Sequence, residues 1–134
     1  MKNCIFCKII KGEVPYDKVY EDKDFLAFLD ISPLNSGHTL VVPKKHYRWV
    51  VEVLKFGEYW EAAGKIAKAV QKILKTDSIN FIVLGYEVPH AHIHIIPRFN
   101  DDDLGWTIDW SKRKKIKRKE MEKIADDLRR ALRK

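Results

Sequence analysis

One segment of the chain reads His90-Ala91-His92-Ile93-His94-Ile95-Ile96, an alternation of imidazole with small or aliphatic side chains. Successive side chains of a β-strand point to opposite faces of its sheet, so a strand here places all three histidines on one face. On a helix, His92 would point away from the other two. Three imidazoles on an otherwise apolar strand are costly to bury unless a metal ion or an anionic ligand satisfies them. The segment therefore predicts a sheet that carries a functional site on one face.

The sequence on either side of this segment predicts an α+β domain. Apolar runs bounded by turn residues predict strands near 19–20, 25–29, 38–42, 79–84 and 91–96. Apolar side chains at three- and four-residue steps predict a long amphipathic helix over 53–75 and a second helix over 119–132, after a short helical turn over 4–12. We expect a mainly antiparallel sheet with one long helix packed on it and a C-terminal helix. The domain is expected over 1–99, with a junction and basic helical tail, 100–134, in the same unit.

Charge is concentrated in the tail. Residues 112–134 hold 12 Lys or Arg against 4 Asp or Glu, and the other 111 residues hold 14 against 15. Such a block is typical of a solvated helix or of an interaction tail, and a nucleic-acid partner for it is the less favoured interpretation. No apolar run approaches the roughly 20 residues that cross a bilayer, and a secretory signal is not evident. We expect a cytoplasmic protein without a membrane partner.

Four blocks of the sequence together resemble the histidine triad family of nucleotide hydrolases and transferases. They are Cys4-Ile5-Phe6-Cys7-Lys8-Ile9-Ile10, Phe28-Leu29-Asp30-Ile31-Ser32-Pro33, the run from Gly37-His38 through Pro43-Lys44-Lys45-His46, and His90-x-His92-x-His94. The resemblance covers about residues 4–98. Four blocks in this order are far more specific than the three alternating histidines alone.

The resemblance implies a role for each histidine of the site. It makes His92 the nucleophile that attacks the α-phosphorus of a nucleotide and forms a covalent nucleotidyl-histidine. Imidazole suits this role because it is neutral and nucleophilic near pH 7. His94 would contact the phosphate or assist protonation of the leaving group, and His38 would complete the pocket.

The resemblance also implies a nucleotide pocket. Apolar walls would hold the base, and the carboxylate of Asp30 would accept hydrogen bonds from the ribose hydroxyls. The walls are Phe6, Ile9, Phe28 and Ile31. Taken without the resemblance, these four residues are equally explained by core packing, and Asp30 by a turn that ends a strand.

Two cysteines and two histidines form a candidate metal site. Cys4 and Cys7 form a C-x-x-C, across which a disulfide would stabilise little, so metal binding or redox chemistry explains it better. A thioredoxin-like redox role is disfavoured because no strand precedes the motif. The related galactose-1-phosphate uridylyltransferases hold zinc with two cysteines and two histidines, and the resemblance implies a structural zinc on Cys4, Cys7, His46 and His90. The alternative is a pair of reduced thiols with His46 at the surface.

The chain departs from the family pattern just before the three histidines. Tyr86 and Glu87 stand where the familiar hydrolases have Gln and a small hydroxyl residue, and the preceding loop is shortened to Leu84-Gly85. Glu87 could bind the amine of a cationic leaving group, or it could be an ordinary solvent-facing carboxylate. The transferase branch has Gln where His94 stands, so His94 favours hydrolysis.

The function expected from the sequence is hydrolysis at the α-phosphate of a purine nucleoside phosphoramidate of AMP or GMP type. Two alternatives are a dinucleoside polyphosphate hydrolase and a zinc-stabilised nucleotide- or nucleic-acid-binding module with little turnover. By analogy with the family we expect a homodimer. Trp106 and Trp110, in the junction, are expected to anchor the tail on the body rather than to cover the site.

Overall fold

The computed structural model describes residues 3–133. It contains three α-helices, α1 (Ile5–Ile10), α2 (Phe56–Leu74) and α3 (Arg118–Leu132), and a short 3-10 helix at Val50–Glu52. Its five strands are β1 (Lys18–Glu21), β2 (Phe25–Leu29), β3 (Thr39–Pro43), β4 (Ser78–Ile82) and β5 (Ile93–Arg98). No helix within these residues is both long enough and apolar enough to cross a membrane.

The five strands form one sheet in the order β1-β2-β3-β5-β4, and every neighbouring pair is antiparallel. The prediction of an α+β fold with a mainly antiparallel sheet is confirmed. Since β3 and β5 are neighbours, the segment after Gly37 and the segment after Pro89 come together at the middle of the sheet. This topology brings His38 next to the three alternating histidines.

The central strands are buried on both faces. In β2, Phe25, Ala27 and Leu29 pack against the side of the sheet that α2 and α3 cover. Leu26 and Phe28 point to the opposite side, where α1 packs. Because each face of β2 is covered by a helix, its sequence is a continuous apolar run rather than an alternating one.

The C-terminal helix belongs to the body of the domain. Met121, Ile124, Ala125 and Leu128 of α3 are buried in the same core as α2 and the sheet. At its N-terminal end, the Arg118 guanidinium makes two hydrogen bonds to the Asp17 carboxylate, at 2.6 and 3.0 Å. The charged residues of the tail occupy the outer face of a packed helix.

The histidine segment becomes a strand later than expected. The prediction of a strand from residue 91 is wrong by two residues, because β5 begins at Ile93. The His90 N–H donates to the Val88 carbonyl in a tight turn at Pro89, and the Ala91 N–H donates to the Tyr47 carbonyl at 2.7 Å rather than to a strand. The alternation of side chains survives, since Ala91, Ile93 and Ile95 lie in the main core.

The other boundaries differ from the predicted ones at their ends. The long helix begins at Phe56, not near residue 53, because the preceding Val50–Glu52 segment forms its own 3-10 turn. It ends at Leu74, where Lys75 adopts a left-handed backbone conformation. The fourth strand ends at Ile82 and leaves Val83 and Leu84 in the loop.

Candidate active site

The His92 ring is fixed by one backbone carbonyl. Its Nδ1 lies 2.8 Å from the carbonyl oxygen of His90, and a carbonyl only accepts hydrogen bonds, so Nδ1 carries the proton. The other ring nitrogen, Nε2, therefore keeps its lone pair. His92 is buried, and burial lowers its pKa below the usual value, which keeps the ring neutral at pH 7. This is the protonation state that a nucleophilic imidazole requires.

A second backbone group sets the protons of two further histidines. The Leu34 N–H donates to Nδ1 of His38 at 3.1 Å, so His38 carries its proton on Nε2. That Nε2 lies 3.0 Å from Nδ1 of His94 and must donate to it. His94 in turn carries its proton on Nε2. The hydrogen bonds from Leu34 to His38 and from His38 to His94 therefore leave His94 with a free Nε2–H and fix the orientation of its ring.

Burial holds this pair of histidines in the neutral form. His38 is 0% exposed and His94 is 4% exposed. Desolvation is the main cause that lowers the pKa of each ring to about 3, and each group also feels nearby positive charge. At neutral pH, His94 can therefore donate a hydrogen bond but is not an imidazolium acid.

Gly37 allows His38 to reach this position. Its φ is +91°, a conformation that favours glycine, and a Cβ at this position would lie 2.8 Å from two side-chain atoms of Leu74 at the end of α2. The turn therefore fits closely under the helix just before β3 begins. The sequence block Gly37-His38 is explained by this close approach.

The predicted base pocket is partly assembled around His92. Phe6 of α1 packs edge-on against His92, with ring centroids 5.1 Å apart, and against Phe28 of β2 at 5.5 Å. Ile9 lies in the same buried cluster. Ile31 is 82% exposed and is not a member of that cluster. An apolar wall thus stands directly beside His92.

The carboxylate of Asp30 has a partner that the sequence did not indicate. Arg113 donates to Asp30 Oδ2 at 3.0 Å and to the Ser32 carbonyl at 2.6 Å. Its other terminal nitrogen lies 3.3 Å from the carboxylate of Glu87. Arg113 lies in a run of basic residues, and nothing in that run distinguishes it from its neighbours.

The junction crosses the active-site face of the same chain. Trp110 packs edge-on against His94, with centroids 5.0 Å apart, and Arg113 lies over the Trp110 ring. Trp110 also packs beside Leu104 and Ile108, so it anchors the junction as expected and contacts the site as well. Trp106 is fully exposed and anchors nothing within residues 3–133. The expected role of the tryptophans therefore holds for Trp110 alone.

The four predicted metal ligands come together. The His90 Nδ1 lies 3.3 Å from Cys4 Sγ and 3.5 Å from Cys7 Sγ, and the His46 Nδ1 lies 3.3 Å from Cys7 Sγ. Tetrahedral zinc, with bonds of about 2.3 Å to sulfur and 2.0 Å to nitrogen, separates such atoms by roughly 3.5 Å. The His90 Nε2 donates to the Pro43 carbonyl at 2.9 Å, which leaves Nδ1 free to bind a metal. This donor set and its geometry fit zinc.

A second group of side chains that could ligate a metal is better explained by hydrogen bonding. Asp30, His38 and His94 also lie within ligating distance of one another. Both nitrogens of His38 are already used, one by the Leu34 N–H and one toward His94. Since His38 has no free lone pair to offer, we interpret this group as a hydrogen-bond chain rather than a metal site.

Comparison with known proteins agrees with this geometry. Residues 11–101 match the HIT domain. The adenosine 5'-monophosphoramidase HNT1 of Saccharomyces cerevisiae is 39% identical over 112 residues, which are 80% of this chain and 69% of that protein. The adenylylsulfatase HINT3 of Arabidopsis thaliana is 38% identical over 122 residues, 86% of this chain and 61% of that protein.

A zinc-bound protein is among the solved structures that share this fold. The Zn-bound histidine triad family protein from Mycobacterium smegmatis superposes with a TM-score of 0.81 at 34% identity, covering 98% of this chain and 94% of that one. The fold, the match over residues 11–101 and the identity to these relatives lead to one conclusion. The chain belongs to the HIT, or histidine triad, family, some of whose members hydrolyse nucleotides.

Proposed function

We propose that the protein hydrolyses nucleotidyl substrates at the α-phosphate, with purine nucleoside phosphoramidates as the substrate class and His92 as the nucleophile. One observation carries the proposal: the His90 carbonyl holds the proton of His92 on Nδ1 and leaves the Nε2 lone pair free. The named activity of the yeast relative, an adenosine 5'-monophosphoramidase, supports the same class of reaction.

The reaction has two displacements at phosphorus. In the first, the Nε2 lone pair of His92 forms a bond to the α-phosphorus, and the bond from phosphorus to the leaving nitrogen breaks. The leaving nitrogen takes up a proton from water and departs as an amine. In the second, a water oxygen bonds to phosphorus, the bond to Nε2 breaks, and the water proton passes to solvent. The products are a nucleoside monophosphate and restored His92.

His94 acts as a fixed donor in both steps. Its Nε2–H is available to a phosphate oxygen because its Nδ1 already accepts from His38. Because His38 and His94 are both neutral, we assign His94 to contact with the phosphate rather than to protonation of the leaving group. A neutral imidazole that gave up its only N–H proton would become an anion. A donor held in place before reaction stabilises charge that develops on the phosphate.

The pocket around His92 supplies binding of the nucleoside. We assign the base to the apolar wall formed by Phe6, Ile9 and Phe28, with Ile31 at its rim. We assign the ribose hydroxyls to Asp30, whose carboxylate they would share with Arg113. The same guanidinium holds Glu87 on the ribose side of the pocket.

A covalent adduct tests the proposal. The protein is mixed with adenosine 5'-phosphoramidate, quenched in mild base and examined by mass spectrometry for an added AMP on His92. His92→Asn is the matched variant, because its amide can still donate to the His90 carbonyl while the nucleophile is removed. We expect an adduct and turnover in the wild type and at least a roughly 1,000-fold loss of kcat in the variant. Undiminished hydrolysis by His92→Asn would exclude this mechanism.

Two alternatives differ in what they require of the same site. A dinucleoside polyphosphate hydrolase would use the same nucleophile with a nucleotide as leaving group, and the adduct experiment with a dinucleoside polyphosphate distinguishes the two. A nucleotide-binding module with little turnover would bind AMP without forming the adduct. The free Nε2 of His92 favours the enzyme, since binding alone needs no nucleophile there.

We also propose a structural zinc on Cys4, Cys7, His46 and His90. Such an ion would join α1 to the segment after β3 and to the segment before β5, and so would support the backbone beside His92. Two reduced thiolate ligands are compatible with the cytoplasmic location that we propose.

Metal analysis of the purified protein tests this site. We expect about one zinc per chain in the wild type, and both metal and thermal stability lost in Cys4→Ser. Lys8→Ser, a change on the same helix outside the cluster, is the control and should keep the metal. A wild type that stays metal-free in excess zinc would contradict the proposal.

A further inference from the structure

The guanidinium of Arg48 has no charged partner in the part of the chain that the structure describes, residues 3–133. Its Nη1 atom is buried without a hydrogen bond. By contrast, Arg98, Arg113 and Arg118 each pair with a carboxylate. A buried charged donor that is left unsatisfied costs several kilocalories in general, so such a group usually marks a place where an anion binds.

Arg48 is held in a defined position. Its guanidinium carbon lies 3.7 Å from the centre of the Trp49 ring, a stacked arrangement that fixes the plane of the fork. The same Trp49 packs against Tyr86, with centroids 6.2 Å apart. The ring therefore supports both Arg48 and the loop that leads to the histidines.

The buried Nη1 of Arg48 faces that loop. A Cβ built on Gly85 would lie 3.5 Å from Nη1, and Gly85 itself has a φ of +80°. This shortened loop is the place where the chain departs from the family pattern. The Tyr47 carbonyl, next to Arg48, accepts a hydrogen bond from the N–H of Ala91, next to His92, so this backbone pairing brings Arg48 close to the nucleophile.

The one acidic side chain of this loop is engaged elsewhere. Glu87 lies 3.3 Å from Arg113 on the ribose side of the pocket. Its charge is shared with that guanidinium, and Arg48 is left as the cation at the loop. An anion that enters beside His92 from the side of the leaving group would therefore meet a positive charge.

We propose that Arg48 binds an oxyanion carried by the leaving group, so that the preferred substrates join the nucleotide to a group ending in carboxylate, sulfate or phosphate. The proposal rests on the proposed function and deepens it by specifying the leaving group. Arg48 would act as a specificity residue: its fork pairs with the two oxygens of such an anion, which a neutral or cationic leaving group lacks.

A matched pair of substrates tests the charge alone. In the first, AMP is joined through a P–N bond to the amino group of glycine, and in the second to that of glycinamide. The reacting bond is of the same kind in both, and only the carboxylate differs. We expect the wild type to favour the glycine compound in kcat/KM by roughly 10- to 100-fold, the usual worth of a hydrogen-bonded ion pair in a partly buried site.

The variant Arg48→Met keeps the apolar stem over Trp49 and removes the charge. We expect it to abolish the preference while leaving the glycinamide rate within about 3-fold of the wild type. Lys45→Met, which removes an exposed cation three residues earlier, is the control and should keep the preference. Adenosine 5'-phosphosulfate and ADP, assayed in parallel, show whether sulfate or phosphate takes the place of the carboxylate.

Each outcome bears on the proposal. A wild type that cleaves both compounds equally, or a variant that loses both rates equally, overturns the role of Arg48. A wild type that cleaves neither compound overturns the proposed function instead. In that case calorimetric titration with inorganic sulfate still decides on Arg48, because the wild type should bind sulfate at least about 10-fold more tightly than Arg48→Met.

Discussion

Proton positions at this site follow from backbone groups rather than from neighbouring acids. A carbonyl fixes the tautomer of His92, and an amide N–H fixes that of His38 and through it that of His94. Backbone groups keep the same donor or acceptor role at every physiological pH. The site therefore has one free lone pair, on His92, and one free N–H, on His94, without a charged carboxylate that orients either ring.

The neutral pair His38 and His94 makes stability depend on pH. Burial lowers the pKa of both rings to about 3, while in the unfolded chain they titrate near 6.5. Between these values the unfolded chain binds more protons, so the free energy of unfolding falls as the pH drops from about 6.5 toward 3. Each ring contributes up to about 1.4 kcal/mol per pH unit.

Urea unfolding at half-unit steps from pH 7.5 to 4.5 measures this slope. His38→Gln removes one of the two groups, so its curve should be shallower than that of the wild type by up to about 1.4 kcal/mol per pH unit. The control is Lys68→Gln, an exposed change on α2 that removes no histidine, and its slope should match that of the wild type. Parallel curves for the wild type and His38→Gln would show that His38 is not held neutral.

At the scale of elements, the turn before β3 depends on the end of α2. Gly37 and Leu74 touch so closely that a methyl group on Gly37 would overlap the leucine side chain. Gly37→Ala should cost about 2–4 kcal/mol, the sum of a left-handed backbone penalty and overpacking. Chemical denaturation measures it, and hydrolysis should fall as well because His38 is the next residue.

A matched glycine separates the two costs. Gly12 has a φ of +78° but no atom within 4 Å of a built Cβ, so Gly12→Ala reports the backbone penalty alone. The difference between the two variants should be about 1–3 kcal/mol. Leu74→Ala should partly rescue Gly37→Ala and not Gly12→Ala. Equal costs for both glycines would contradict the contact.

The sequence predicted the elements well where one local signal dominates. The apolar run 25–29 gave β2 at its observed bounds, and the helical spacing gave α2 and α3 to within a few residues. The start of β5 could not be predicted, because it depends on Ala91 pairing with the distant Tyr47 carbonyl.

At the site, too, contacts between residues that are distant in sequence could not be predicted. The resemblance led to Cys4, Cys7, His46 and His90, which do assemble. It gave no indication that Arg113 donates a hydrogen bond to Asp30, 83 positions away in the sequence. Likewise, Arg48 becomes notable only once its buried nitrogen is seen to lack a partner. Long-range contacts of a basic run are not encoded in local spacing.

At the scale of the whole molecule, the basic tail has two faces. Its apolar stripe lies in the core shared with α2, so removing the tail would expose that core rather than delete an independent module. Its outer charges are partly neutralised, as in the pairs that Asp126 and Asp127 make with neighbouring basic residues. A nucleic-acid role would therefore be tested better by reversing exposed charges such as Lys115 and Lys119 than by truncation.

The opposite edge of the sheet offers a surface for a second copy of the chain. Phe56, Trp60 and Phe81 form a row of aromatic rings with centroids 5.9 and 6.4 Å apart, and Phe56 and Phe81 are each more than 40% exposed. The Trp60 indole N–H is buried without a partner among the described residues. β4 is an edge strand, and such an apolar edge usually associates.

Light scattering after size exclusion tests the dimer that we propose at this surface. Phe81→Asp should weaken association by roughly 100-fold or more, because a charge would be buried at the centre of the interface, and should give a monomer at micromolar concentration. Lys68→Asp, on another part of α2, is the control and should leave the dimer intact. Since Phe81 lies on β4 beside β5, which carries His94, a loss of activity on dissociation would connect assembly to the site, whereas a wild type that is monomeric at every concentration would contradict the dimer.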